Sequence, residues 1–425
     1  MVDRSPQGYY AASAGPAAAR PPLSGRQKAD ICIVGAGYTG LVAALKAAGT
    51  GARVIVLEAQ SVGFGASGRN GGQIHTGWRK SQEELESWLG AVHARDLWAL
   101  SEEAKAQVAA LIAQHAIACE LKSGLIIAAH NAGAARELAR EAEHLSHLYG
   151  YNRLRLLSEA ETTREIGTGL YCGSSLDSGG GHLHPLLYAR GLARATESAG
   201  AQIFEHSLVH WMEKRSIGVE VTTAGGTVSA GRVVLATDAF TGEVAAGLDR
   251  FIGHVESFIT ATAPIPADIS PAILPNDPAV ADTRHVLDYY RKSADERLLF
   301  AGREAYFGMP RDIGALVRPR LLRVFPQLKD IPIEYAWSGT VGITMTRMPH
   351  FGKLSERILF GHGYSGQGVA LATLGGKLLA DAALGHEEQF DVLARIPARP
   401  FPGGRWLRRP LIAAGLSAFK LADAL

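Results

Sequence analysis

The sequence has few cysteines, little excess charge and no long apolar run. Only Cys32, Cys119 and Cys172 are present, without a CxxC pair, so neither a metal site nor a disulfide framework is predicted. Forty-three basic and 41 acidic residues leave a net charge of +2, too small to indicate nucleic-acid binding. No segment approaches the roughly 18 apolar residues of a membrane span, and no secretory leader is visible. We therefore expect a cytoplasmic protein without an integral membrane segment.

The apolar pattern of the chain is that of a folded α/β protein. Hydrophobic residues make up 47% and charged residues 20% of the 425, and this length favours two domains. An apolar strand at 31–34, an Ala- and Leu-rich helix at about 38–49 and a second strand at 53–58 predict a βαβ unit. Further strands are expected at 219–223 and 233–236, joined by a glycine turn.

A glycine-rich turn joins the first strand to the first helix. Residues 35–40 read Gly-Ala-Gly-Tyr-Thr-Gly. Gly35 permits the tight turn, Gly37 lets the backbone approach a pyrophosphate, and Gly40 allows close helix packing. Glu58 ends the second strand, where a carboxylate accepts hydrogen bonds from ribose hydroxyls. This arrangement predicts dinucleotide binding, and the alternative is a tight turn without a ligand.

Two further glycine loops favour FAD over a nicotinamide cofactor. The loop at 63–73 offers free backbone amides, and Ser67 or Arg69 in it can reach a phosphate. The loop at 361–369 precedes an apolar helix at about 369–383, whose amides can stabilise a reduced flavin. The alternatives are a flexible lid for the first loop and an ordinary glycine-rich helix start for the second.

Together, these motifs resemble the superfamily of FAD-dependent D-amino-acid and glycine oxidases, and within it the gamma-glutamylputrescine oxidases. The resemblance covers nearly the whole chain. It is carried by residues 33–40, 57–59, 63–73, 178–185 and 363–369, and also by 9–13, 287–291, 325–329, 347–349 and 400–405.

The resemblance implies oxidation of a small-molecule primary amine, with gamma-glutamylputrescine as the expected substrate. Hydride transfer to FAD and hydrolysis of the imine would give an aldehyde and ammonia, and oxygen would accept the electrons to give hydrogen peroxide. No catalytic side chain is identified. Two alternatives remain, namely a flavin-dependent dehydrogenase of an amino acid or N-alkyl amino acid that uses another acceptor, and a non-catalytic flavoprotein subunit.

The chain departs from its relatives at three points. Gln367 stands where the family often has His, and the strand at 298–301 lacks the lysine with which sarcosine-type relatives activate oxygen. All three cysteines lie before residue 173, whereas those relatives carry a cysteine that tethers the flavin. We therefore expect non-covalent FAD.

The predicted site residues fall into two sets. The substrate set is Tyr289, Arg291 and Trp337. On a strand, Tyr289 and Arg291 share one face and offer an aromatic wall beside a cation, although sheet packing explains either residue equally well. For Trp337, a role in the core is the favoured alternative. The cofactor set is Gly35, Gly37, Tyr38, Thr39, Gly40, Glu58, Ala59, Gly65, Ala66, Ser67, Arg69, Asn70, Gly71, Gly72, Gln73, Val209, Gly339, Gly363, Tyr364, Ser365, Gly366, Gln367, Gly368 and Val369.

We predict an α/β fold in which a Rossmann-type FAD-binding domain is joined to a substrate domain with a mixed or antiparallel sheet. Residues 1–28 are expected to form an N-terminal arm, and 387–425 a C-terminal tail. The FAD-binding domain is predicted to be discontinuous, with 29–95, 158–242 and 338–386. Residues 96–157 and 243–337 are assigned to the substrate domain.

Overall fold

The computed structural model describes residues 8–242, 244–305 and 310–402, so most of the predicted tail lies outside the described residues. The α-helices in this part of the chain are α1 (Tyr9–Ser13), α2 (Tyr38–Ala48), α3 (Gln82–Leu89), α4 (Ala91–Gln114), α5 (Ala132–Tyr149), α6 (Glu159–Ile166), α7 (Pro185–Ser198), α8 (Ala246–Asp249), α9 (Ile313–Val324), α10 (Gly368–Leu384) and α11 (Glu388–Ala394).

The strands are distributed between two large sheets. They are β1 (Gly25–Val34), β2 (Val54–Leu57), β3 (Gln73–Ile74), β4 (Lys122–Ala128), β5 (Leu154–Leu157), β6 (Ser174–His182), β7 (Gln202–Phe204), β8 (Val209–Arg215), β9 (Gly218–Thr223), β10 (Gly226–Leu235), β11 (Gly253–Thr262), β12 (Ala279–Asp282), β13 (Tyr289–Lys292), β14 (Leu298–Ala305), β15 (Ile333–Ile343), β16 (His350–Ser355) and β17 (Ile358–His362).

The first sheet has a parallel centre in the order β17-β10-β1-β2-β7. Its central register pairs Ile33 with Val56 on one side and with Val234 on the other. The segments at 31–34, 54–57 and 233–235 are apolar and buried because both faces of the sheet are covered there, and α2, α7 and α10 contribute to the core on one face. The carboxyl ends of β1, β2 and β10 meet at one edge, where ligands bind in sheets of this kind.

The second sheet is mixed, with the order β15-β11-β14-β13-β12-β4-β6-β3. Its pairs are antiparallel except for β12 with β4, which is parallel. Helix α9 packs against β11, β14 and β15 and forms a core with Phe258, Phe300 and Phe325. The opposite face of this sheet lines the cavity described below. The predicted fold class is confirmed.

Several local predictions also hold, and the differences have simple causes. The expected hairpin forms, as β9 with β10, and β13 pairs with β14 in the same antiparallel way. Strand β1 begins earlier than predicted, at Gly25, because residues 25–29 pair with residues 226–230. Helices α3 and α4 are separated only by Gly90, whose φ is +87°. Strands β3 and β6 lie in segments predicted for the FAD-binding domain, yet both pair in the second sheet.

Candidate functional site

A cavity of about 1220 Å³ lies where the carboxyl ends of the first sheet meet one face of the second sheet. Residues from both sheets and from the loops at 58–60, 64–71 and 364–369 form its wall. Its volume exceeds the range of about 300–1,000 Å³ in which one drug-sized ligand is usually bound. The cavity is therefore large enough for a cofactor together with a second small molecule.

The turn between β1 and α2 depends on close backbone approach. Gly35 has a φ of +105°, and a Cβ at Gly40 would overlap the carbonyl oxygen of Gly35. The amide of Tyr38 donates to Ser67 Oγ over 3.1 Å, and a Cβ at Gly37 would lie 2.8 Å from that oxygen. At the start of α2, the cavity wall therefore consists of backbone and a hydroxyl group, which suits a phosphate.

Glu58 follows β2, and its carboxylate reaches back to the glycine turn. Oε2 accepts from the amide of Ala36 at 2.7 Å, and Oε1 accepts from the amide of Gln60 at 2.9 Å. Burial raises the pKa of Glu58 above its ordinary value, against the opposing effect of these amides. The amide of Ala59 also bonds to this carboxylate, and because the two oxygens accept up to four hydrogen bonds together, a position remains for a ribose hydroxyl. This geometry fits the adenosine half of FAD.

The loop before α10 is tied to its surroundings and leaves the helix start open to the cavity. Ser365 donates its amide to a backbone carbonyl of β15 at 3.1 Å, and Tyr364 OH lies 2.7 Å from Thr39 Oγ1 of α2. The first amides of a helix have no partner within the helix, and here Gly368 and Val369 line the cavity. The arrangement fits a group that carries negative charge.

Most of the predicted cofactor set lies on the cavity wall. Gly40, Gly72 and Gly363 do not, although each adjoins a residue that does. The lining members are Gly35, Gly37, Tyr38, Thr39, Glu58, Ala59, Gly65, Ala66, Ser67, Arg69, Asn70, Gly71, Gln73, Val209, Gly339, Tyr364, Ser365, Gly366, Gln367, Gly368 and Val369.

Of the predicted substrate residues, the structure places only Tyr289 on the cavity wall. Arg291 is 2% exposed, and its guanidinium donates to the carbonyl oxygens of Gly71, Leu183 and Lys292 at 2.9–3.0 Å. Its expected contact with the substrate is therefore corrected to a structural role, because buried carbonyl groups need its donors.

Trp337 is also removed from the substrate set. It is 1% exposed, its Nε1 donates to the carbonyl oxygen of Arg69 at 3.0 Å, and its ring contacts Tyr10. This confirms the alternative of a role in the core.

A row of side chains crosses the cavity face of the second sheet. The register places Ile127, Ala281 and Tyr289 side by side, and continues through Ala301 to Ile259. Directly paired residues share a face, and four of these five line the cavity. The Tyr289 hydroxyl lies 3.0 Å from Ser257 Oγ. From β11 to β4 the row spans four strand spacings, or roughly 19 Å, so it provides a long apolar floor.

The β4 end of this floor is bordered by a segment that sequence reasoning missed, residues 75–79. His75 and Arg79 both line the cavity. Between them, Thr76 donates to the carboxylate of Asp177 on β6, which holds the segment against the sheet. The segment directly follows the glycine loop, but no spacing in the sequence shows that it turns toward β4.

The hydrogen bonds around His75 settle its tautomer. Gln73 Nε2 donates to the carbonyl oxygen of Val280 at 2.8 Å, so Gln73 Oε1 is left to accept from His75 Nε2–H at 3.1 Å. Burial, together with the positive charge of Arg79, lowers the pKa of His75 to about 4. The imidazole is therefore neutral at pH 7, with Nδ1 as a hydrogen-bond acceptor.

The family of this chain follows from comparison with known proteins. Residues 30–382 match the family model described as DAO, FAD dependent oxidoreductase. The chain belongs to this family. It is therefore an enzyme that uses FAD, and the predicted resemblance and cofactor are confirmed.

Individual relatives are similar to this chain over most of its length. The probable oxidoreductase OrdL of Haemophilus influenzae is 39% identical over 408 residues, 95% of this chain and 94% of that protein. The gamma-glutamylputrescine oxidoreductase of Escherichia coli is 38% identical over 419 residues, 98% of each chain. Among solved structures, glycine oxidase from Geobacillus kaustophilus has a TM-score of 0.73 and 23% identity, covering 84% of this chain and 95% of that one, which supports the fold.

The described residues lack two features, a membrane-spanning helix and a metal-binding cluster. In that part of the chain, no helix is long and apolar enough to cross a bilayer. Nor does it contain a group of three or more His, Cys, Asp or Glu side chains placed to hold a metal ion.

Proposed function

We propose that this FAD-dependent oxidoreductase oxidises the primary amine of gamma-glutamylputrescine or of a closely similar gamma-glutamylated amine. One observation carries the proposal: the cavity runs from the glycine loops along an apolar floor to a border that carries Arg79. The identity of 38% with a gamma-glutamylputrescine oxidoreductase over 98% of the chain supports the same substrate class.

FAD, when bound, accepts a hydride from the carbon that bears the amine. We assign its pyrophosphate to the turn at 35–40, its ribose to Glu58 and its flavin ring to the loop at 363–369. None of the three cysteines is among the cavity-lining residues, which supports non-covalent binding.

The substrate half of the cavity matches a long amine with a distant carboxylate. Tyr289 and its row neighbours Ile127 and Ala281 would pack along the methylene chain and exclude water from it. Arg79 would pair with the carboxylate of the glutamyl group, and His75 Nδ1 would accept a hydrogen bond from an N–H of the substrate. Arg79 thus replaces Arg291 in the proposed recognition of the carboxylate.

The proposed reaction consumes one water and one oxygen molecule for each amine oxidised. The amine loses a hydride and a proton to become an imine, and water converts the imine to an aldehyde and ammonia. Molecular oxygen takes up the two electrons and two protons as hydrogen peroxide.

A product assay in air tests the proposal. The FAD-loaded enzyme is incubated separately with gamma-glutamylputrescine, putrescine, glycine and L-proline, and aldehyde, ammonia and peroxide are measured. We expect equimolar aldehyde, ammonia and peroxide from gamma-glutamylputrescine. Turnover that needs an added acceptor and yields no peroxide would instead support a dehydrogenase. Preferred turnover of glycine or L-proline would refute the assignment to an amine.

A further inference from the structure

Asp238 has an unusual backbone conformation at the edge of the cavity. It follows the central strand β10 by three residues and has a φ of +42°, in the left-handed region. Side chains with a Cβ rarely adopt this region, although Asp tolerates it better than most residues. Such a conformation is unfavourable by itself and persists where surrounding contacts hold it. The conformation of Asp238 is therefore held by its contacts.

The carboxylate of Asp238 joins two segments that belong to different sheets. Oδ1 accepts from the amide of Gly363 at 2.7 Å, and Oδ2 accepts from the amide of Gly342 at 3.3 Å. Gly342 lies in β15 of the second sheet, whereas Gly363 follows β17 of the first sheet. A Cβ at Gly342 would lie 2.8 Å from either carboxylate oxygen, so the carboxylate fits closely against that strand.

Other hydrogen bonds strengthen the same junction. Ser365 donates its amide to the carbonyl oxygen of Gly342 at 3.1 Å and its hydroxyl to that of Gly363 at 3.1 Å. Thr241 Oγ1 donates to the backbone carbonyl of Asp238 at 3.0 Å. Burial raises the pKa of Asp238, and the amides that donate to its carboxylate oppose this rise. The junction thus consists of one carboxylate surrounded by backbone donors from β15, from the loop at 363–364 and from the adjacent Ala239.

We propose that Asp238 is a positioning residue, which holds the loop at 363–367 against β10 and β15 so that the first amides of α10 face the flavin ring. The inference rests on the cofactor placement proposed above. Asp238 lines the cavity, but it acts through the loop, because its carboxylate bonds to Gly363 and Gly342 and not to the turn at 35–40. Its loss should therefore weaken the flavin half of the site and leave the adenosine half unchanged.

Titration of the full-length apoprotein with FAD and with ADP separates these two halves, because ADP has the pyrophosphate and adenosine but no flavin ring. Asp238→Gly removes the carboxylate without adding strain, since glycine adopts positive φ freely. Asp238→Asn keeps the oxygen that accepts from Gly363 and places an amide group opposite the N–H of Gly342. Asp277→Gly is the matched control, because Asp277 also has a positive φ, +53°, and does not line the cavity.

We expect Asp238→Gly to raise the Kd for FAD by about ten- to a hundredfold, the range for lost hydrogen bonds to a charged group. The Kd for ADP should stay within about twofold. Asp238→Asn should give a smaller loss of FAD affinity, and Asp277→Gly should leave both constants unchanged.

Three results would overturn the inference. They are wild-type FAD affinity in folded Asp238→Gly, an equal loss of ADP and FAD affinity, and an equal effect of Asp277→Gly. If Asp238→Gly does not fold, Asp238→Asn decides the question, because wild-type FAD affinity in that variant also refutes the role. No substrate takes part in these titrations, so they succeed or fail independently of the amine assignment.

Discussion

The two halves of the cavity are built in different ways. The cofactor half is mainly backbone, with amides at the turn of 35–40 and at the start of α10, and few side chains such as Glu58 take part. The substrate half is made of side chains on one face of a sheet, including Tyr289 and Ile127, with Arg79 at its border. A backbone site is sensitive to an added Cβ, whereas a side-chain site is changed by substitution without loss of the fold. Cofactor and substrate specificity can therefore vary independently.

The largest expected effect lies in the cofactor half, at Gly40. In Gly40→Ala, the new Cβ would overlap the carbonyl oxygen of Gly35 and displace the turn. We expect a cost on the order of 3 kcal/mol, or more than a hundredfold in the Kd for FAD, measured by reconstitution of the apoprotein. Gly49→Ala is the control, because its Cβ would lie 3.3 Å from the carbonyl oxygen of Leu45 at the other end of α2. A Gly40→Ala protein that purifies with full FAD would refute this view of the turn.

The next-largest effect is a loss of stability expected at Arg291, which does not line the cavity but bonds to backbone behind its wall. Arg291→Ala removes the donors to three carbonyl groups and should lower the free energy of unfolding by about 2–3 kcal/mol. Thermal melting measures this loss, and KM should change equally for gamma-glutamylputrescine and putrescine. Arg215→Ala, at an exposed ion pair, should have little effect on stability. A selective rise in KM for gamma-glutamylputrescine at unchanged stability would return Arg291 to the substrate set.

A smaller effect is expected for Arg79, within the substrate half alone. Arg79→Ala should raise the KM for gamma-glutamylputrescine about tenfold, equivalent to about 1.4 kcal/mol, because an exposed cation contributes less than a buried one. The KM for putrescine, which has no carboxylate, should not change. Arg79→Lys, which keeps the charge, should restore part of the affinity. Equal changes for both amines would place the carboxylate elsewhere.

The smallest effect is in the acid stability associated with His75. Its pKa is lowered to about 4 in the folded protein, from 6.5 for the free side chain. The unfolded chain therefore binds this proton first as the pH falls, so stability is complete above pH 6.5 and decreases toward pH 4. His75→Gln should make the free energy of unfolding less dependent on pH over this interval, by less than about 1.4 kcal/mol per pH unit. Thermal melting at a series of pH values measures this change. An unchanged pH profile would indicate that His75 is not held neutral by the fold.

The sequence predicts the cofactor half well because its motifs are local. Strand, turn and helix around Gly35 and Gly40 follow one another along the chain, and their chemistry depends on backbone geometry. The substrate half is assembled from strands far apart in sequence, so Ile127 and Tyr289 become neighbours only through β12. Alternation along β13 placed Tyr289 and Arg291 on one face correctly, but it gave no information on the carbonyl groups that surround Arg291. Asp238 was missed because its role depends on two distant amides.

The most direct test of the account is anaerobic reduction of the enzyme-bound flavin, followed by its visible absorbance after rapid mixing with substrate. Without oxygen, the measurement reports only transfer from substrate to FAD. The account predicts rapid bleaching by gamma-glutamylputrescine at concentrations where putrescine and free amino acids reduce the flavin slowly. Rapid bleaching by putrescine or glycine, with no response to gamma-glutamylputrescine, would contradict it.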